Sequence, residues 1–151
     1  MSTRVLVIED GYEYSETLAR FLTEGFIWER AGSGPEALEL LKTERFDAIF
    51  LDMRFDRVPL DRLLGDLETT ADRFNGDPIQ AQQFLEDHQG NYVLKALRDA
   101  GHVVPVLMSY DFESEPRRWE RIAARYGPVD FLPDNAGPAD ISARLEALAK
   151  R

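Results

Sequence analysis

The sequence predicts an α/β fold: five parallel strands in doubly wound order, helices on both faces, and a helical hairpin inserted after the third strand. Three observations lead there. Short apolar runs alternate with stretches of helical periodicity, as repeated strand–helix–strand units require. The first run, RVLVIED, is continuous and β-branched rather than alternating, as expected of a strand buried on both faces. The first and third runs both stop on acids, Glu9-Asp10 and Asp52, where a parallel sheet presents its carboxyl ends.

The elements follow in order. After the first strand, Leu18, Phe21 and Leu22 mark one face of a helix that Gly25 closes. FIWERA is the second strand. In GSGPEALELLK, Ser33 and Gly34 are capping candidates, Pro35 sits in the first turn, and Leu38 and Leu41 face inward. DAIFLD is the third strand, HVVPVLMSY the fourth with Pro105 near its start, and VDFLP a short fifth. NYVLKALRDAG supplies the helix before the fourth strand, with Val93, Leu94 and Leu97 packing and Gly101 capping. PADISARLEALAK closes the chain with Ile141, Leu145 and Leu148 on one stripe.

Residues 55–89 are too many for an ordinary strand-to-helix loop. Leu60, Leu63, Leu64, Leu67, Ala71 and Phe74 fall on one α-helical stripe, which predicts a helix ending at Asn75-Gly76. Asp77-Pro78 then opens a second helix through Phe84 and Leu85. The whole chain, 1–151, reads as one domain carrying this 55–89 insertion.

Composition narrows the function. Of the 151 residues, 44% are apolar and 30% charged, as in an ordinary globule. With no cysteine, nothing depends on disulfides or thiolate–metal bonds, and a reducing, cytoplasmic setting is expected. MSTRVLVIED meets acids too early for a signal peptide, and no apolar stretch is long enough to cross a membrane. The net charge of −10 disfavours nucleic acid and anionic lipid as partners. If the first and third strands are neighbours, Glu9, Asp10 and Asp52 converge in one crevice, an oxygen cluster suited to Mg²⁺.

At these residues the chain resembles the receiver domain of two-component response regulators, a flavodoxin-like fold. VLVIEDG looks like that family's first strand with its acidic pair, and the stretch from Tyr12 to Met53 follows the family with almost no gap. The resemblance covers about residues 4–54 closely and 90–150 loosely, and the insertion lies outside it. It implies that Asp52 is the phosphoryl acceptor, loaded by a histidine kinase. Mg²⁺ would be held by Glu9, Asp10, Asp52 and the backbone carbonyl of Arg54. A carboxylate is a competent nucleophile toward phosphorus once a metal screens the incoming oxygens.

Three positions depart from the family. The Thr or Ser that ends the fourth strand falls on Tyr110 by ungapped counting, or on Ser109 if the strand is one residue shorter. The Lys-Pro pair after the fifth strand is replaced by Asp134-Asn135. Two unit charges about 6 Å apart at an effective dielectric near 20 interact by roughly 3 kcal/mol, so reversing one charge costs up to about twice that before screening. The usual Met-Pro after the acceptor keeps only Met53. Lys95, Arg54 and Arg57 are the basic residues that could replace the lost Lys.

The expected function is a stand-alone receiver that accepts a phosphoryl group on Asp52, is not a turnover enzyme, and signals to a downstream protein. The closing helix uses up the chain, so output is expected by protein–protein contact unless the sequence is a fragment of something longer. The stripe of Leu60, Leu63, Leu64, Leu67 and Phe74 is the expected interaction surface, either as a lid near the acidic pocket or as an exposed patch. Arg117 and Arg118, with Arg121 and Arg125, form a second candidate surface on the helix before the fifth strand. Two alternatives stand beside this reading. One is a pseudo-receiver that binds partners without phosphorylation, because Asp134 reverses the expected charge. The other is an Mg²⁺-dependent phosphatase, since DMRFD resembles the Asp-x-Asp motif of haloacid-dehalogenase enzymes, although Arg54 stands where the general acid belongs.

Overall fold

The computed structural model describes residues 2–150. Five parallel strands, β1 (Thr3–Ile8), β2 (Phe26–Ala31), β3 (Ala48–Asp52), β4 (Val106–Ser109) and β5 (Val129–Phe131), form one sheet in the order β2-β1-β3-β4-β5. The central strands are buried on both faces because their side chains alternate between two cores. Leu6, Ile8, Ile49, Leu51, Val106 and Met108 point to one face. Val5, Val7, Phe50 and Leu107 point to the other.

The first core is covered by α2 (Gly34–Leu41), α5 (Gln89–Asp99) and α6 (Pro116–Tyr126). The second is covered by α1 (Glu13–Phe21) and α7 (Pro138–Ala149), with Leu18, Ile141, Leu145 and Leu148 buried. Caps follow the expected chemistry: the Ser33 hydroxyl accepts from Glu36 N–H, and Pro35 sits in the first turn of α2. Gly25 and Gly101 take positive φ where α1 and α5 hand over to the next strand. Phe21 is a correction, since it lies exposed. The inward stripe of α1 is Tyr14, Leu18 and Leu22, spaced by four residues, and this rotates position 21 into solvent.

The larger departure lies between β3 and α5. No single helix spans residues 60–74. A 3-10 turn at Leu60–Arg62 is followed by extended backbone, α3 (Leu67–Asp72) and α4 (Pro78–Asp87). Gln89, fully buried at the joint of α4 and α5, causes the break. Its side chain accepts from Leu64 N–H at 2.7 Å and donates to the Leu64 carbonyl at 3.0 Å. With both backbone groups satisfied by a side chain, Leu64 has no helical partner, and Gly65 turns away at φ +105°. The two short helices α3 and α4 pack against each other. Asn75 and Gly76, both at positive φ, make the turn between them, and the Asp77 carboxylate caps α4 through Ile79 and Gln80.

The apolar stripe is also divided. Leu63 belongs to the first core and Leu64 leans on it, with its Cδ1 over Gly34 where a Cβ would come within 2.6 Å. These two leucines are packing residues and not exposed partner contacts, which corrects that expectation. Leu60 is exposed, Leu67 half-buried, and Phe74 meets Phe84 at a ring distance of 5.7 Å.

Candidate functional site

Asp52 ends β3 and pairs in register with Ser109 on β4. Since alternate side chains share a face, both continue the row of Phe50 and Leu107 above the second core, whereas Tyr110 joins the first. The side chains bear this out. Ser109 Oγ donates to Tyr14 Oη at 2.8 Å, and the Tyr14 ring lies 4.9 Å from Phe50. The Tyr110 hydroxyl turns the other way and donates to Glu115. Of the two candidates at the end of β4, Ser109 shares the face of Asp52.

The surroundings of Asp52 are strongly acidic. Its carboxyl is pushed up from the ordinary 3.8 to about 6, first by burial. A hydrogen bond from Met53 N–H works against this, and the charges of Asp10, Glu9 and Glu13 add to it. The three neighbouring charges are all negative, so each adds to the rise that burial begins. The candidate replacements are occupied elsewhere. Lys95 pairs with Asp99 at 2.6 Å, Arg54 with Asp87 at 3.2 Å, and Arg57 with Glu13 at 2.6 Å. Asp134 is exposed, and its N–H donates to Asp111 Oδ2 at 3.0 Å. Asp134, Asp111, Ser109, Tyr14 and Tyr110 line a cavity of about 180 Å³ beyond β4 and β5.

The three carboxylates are not equivalent. Glu9 is buried, and its two oxygens accept from Tyr14 N–H at 3.2 Å and Ser15 N–H at 2.6 Å. It therefore caps the first turn of α1, a role that holds its charge at a helix N-terminus. Asp10 Oδ2 accepts from Arg57 N–H at 2.7 Å and Asp52 Oδ1 from Met53 N–H at 2.9 Å. The expected convergence of three metal ligands is corrected accordingly: among the described residues, no three acids or histidines are grouped to hold an ion. Asp10 Oδ1 and Asp52 Oδ2 accept no hydrogen bond from the described residues. Two carboxylates suffice for Mg²⁺, which keeps several waters and completes its shell with substrate oxygens. The donor set fits that ion without Glu9.

The loop after Asp52 is pinned by backbone contacts that the sequence did not announce. Gly90 N–H donates to the Met53 carbonyl at 2.8 Å, and Phe55 N–H to the Glu86 carbonyl at 2.9 Å. A Cβ on Gly90 would come within 2.6 Å of the Asp52 carbonyl oxygen, so only glycine lets α5 start this close to Asp52. Tyr14 also escaped notice, although its place four residues before Leu18 on the same stripe would have found it.

No protein-family model matches the chain. Among curated proteins it is similar to the response regulator MprA of Mycobacterium ulcerans (strain Agy99), 28% identical over 152 aligned positions covering 100% of this chain and 52% of that protein. MprA of Mycobacterium tuberculosis (strain ATCC 25618 / H37Rv) matches with the same identity and coverage. The chain thus spans about half the length of the curated relatives it matches. Among solved structures it is similar to the Francisella response regulator 1452 receiver domain, with a TM-score of 0.67 and 20% identity over 99% of this chain and 98% of that one. The chemotaxis response regulator CheY4 of Vibrio cholerae superposes with a TM-score of 0.65 and 20% identity, covering 98% and 99% of the two chains. The receiver domain of sensor histidine kinase PA1611 from Pseudomonas aeruginosa, solved with magnesium in its active-site cleft, gives a TM-score of 0.62 at 16% identity over 100% of both chains. Strand order and solved neighbours give this chain the fold of a receiver domain, and the curated relatives it resembles are response regulators. Among the described residues, no helix is long and apolar enough to cross a membrane.

Proposed function

We propose that Asp52 accepts a phosphoryl group from a partner histidine kinase and that the chain passes the signal on by protein–protein contact. The observation that carries this reading is Asp52 itself: a part-buried carboxylate at the C-terminal end of a central strand, one oxygen free, opposite the Ser109 hydroxyl. With its pKa near 6, about nine-tenths of it is ionised at neutral pH and available as a nucleophile. One carboxylate oxygen attacks phosphorus as the bond from phosphorus to the kinase's histidine nitrogen breaks. That nitrogen keeps the electron pair, and the product is an acyl phosphate on Asp52.

Asp10 and Asp52, with the Arg54 carbonyl, are the groups that would hold Mg²⁺. When bound, the ion screens the charge of the incoming oxygens. Ser109 can turn from Tyr14 to donate to a phosphoryl oxygen, while Glu9 keeps α1 in place. We further propose that residues 55–89 are an insertion into the receiver plan. Incubation with acetyl phosphate and Mg²⁺, followed by intact mass, tests the reading: a single phosphoryl adduct is expected in the wild type and absent in Asp52→Asn.

A second reading, a receiver that binds its partner without phosphorylation, draws on Asp134 at the position of the family's Lys and on the like charges around Asp52. No adduct under any donor or metal condition favours that reading over the first.

A further inference from the structure

On a chain with net charge −10, one groove is lined by cations. It runs between α5 and α6 and is formed by Lys95, Arg118, Arg121 and Arg125 around the rings of Tyr92 and Tyr126, with Ile122 at its floor and a volume of about 260 Å³. Positions 118, 121, 122 and 125 lie on one face of α6, so the arginines belong to a built stripe facing α5. Arg118 pairs with Glu115 and Lys95 with Asp99. Arg121 and Arg125 form no ion pair among the described residues. Arg125 also acts on Lys95 as a like charge.

The groove continues past the helix pair. Asn91, Tyr92 and Arg118 also line a neighbouring cavity with Phe84 and His88. Phe84 and His88 in turn line a third with Phe74 on the hairpin. His88 stacks on Phe84 at 4.2 Å, and the Arg73 guanidinium lies over that ring at 4.7 Å. The result is an aromatic trough with a cationic end, to which residues 55–89 contribute Phe74, Phe84 and His88. None of its lining residues belongs to the Asp52 site.

We propose that this groove docks an acidic amphipathic helix of a partner protein. The partner's Leu or Phe side chains would enter between Tyr92, Ile122 and Tyr126, and its carboxylates would meet Arg121 and Arg125. Charge complementarity selects this occupant: two unpaired guanidinium groups beside aromatic and aliphatic walls match a helix with an apolar face and an acidic border. A nucleic acid would meet the repulsion of the surrounding acidic surface.

The test uses the unphosphorylated full chain without metal or phosphodonor, so its outcome is independent of Asp52 chemistry. Fluorescence anisotropy follows a labelled helical peptide bearing Glu and Asp around a Leu/Phe face, a scrambled peptide of the same composition, a poly-aspartate peptide, and a single-stranded DNA oligonucleotide. The amphipathic peptide is expected to bind most tightly, and the double variant Arg121→Glu/Arg125→Glu to weaken it by at least about tenfold. Tyr92→Ala should weaken it with little change in salt dependence, whereas the Arg variant should flatten that dependence. Circular dichroism verifies that the variants fold, and both altered arginines are exposed. No binding of the amphipathic peptide, equal binding of the scrambled, poly-aspartate or DNA probe, or unchanged affinity in the double variant would each overturn the proposal.

Discussion

Replacing Asp52 with Asn should make the protein more stable, although it removes the proposed nucleophile. The folded chain holds the Asp52 proton more tightly than the unfolded chain, because burial and the charges of Asp10, Glu9 and Glu13 raise its pKa from 3.8 to about 6. Stability therefore falls as pH rises through that window and stays lower above it. At about 1.4 kcal/mol per pH unit, the deficit at neutral pH reaches about 3 kcal/mol. Asn keeps the carbonyl that accepts the Met53 N–H and carries no charge, so Asp52→Asn should recover up to that amount. For a chain of this length, each kcal/mol moves the melting point by about 2–4 °C, giving a rise of up to about 12 °C. Thermal melts in EDTA from about pH 4 to pH 8 read this directly: the two proteins should nearly coincide near pH 4 and separate as pH rises. Adding Mg²⁺ should narrow the gap by stabilising the wild type alone. If Asp52→Asn is no more stable at neutral pH, or the gap stays constant down to pH 4, the electrostatic account of the site is wrong.

Other substitutions test the scaffold around Asp52. Gly90→Ala puts a Cβ against the Asp52 carbonyl oxygen and the Met53 Cα, and should cost about 1–3 kcal/mol in urea unfolding. Gln89→Ala strands the backbone groups of Leu64 and should cost about 2–4 kcal/mol, with faster hydrogen exchange concentrated in residues 60–66. Glu9→Ala removes the acceptor for Tyr14 and Ser15 N–H and should cost about 2 kcal/mol, fraying the first turn of α1 as read by its amide exchange.

The sequence by itself determined the sheet. Continuous β-branched runs declare strands buried on both faces, Ser33-Gly34-Pro35 and Asp77-Pro78 declare helix starts, and acids at strand ends mark the crevice. These are local signals, each readable from a few neighbouring residues. Where long-range contacts compete with local periodicity, the tertiary structure decided. The stripe from Leu60 to Phe74 has helical spacing, yet a buried Gln89 takes the backbone of Leu64 and breaks the helix there. Glu9 stands beside Asp10 in the chain, yet two amides of α1 claim its oxygens, while Asp10 accepts from Arg57 N–H. Ser109 and Tyr110 could not be separated by counting, because a parallel register is fixed by pairing across strands. Only the pairing of Asp52 with Ser109 tells which hydroxyl shares the face of Asp52.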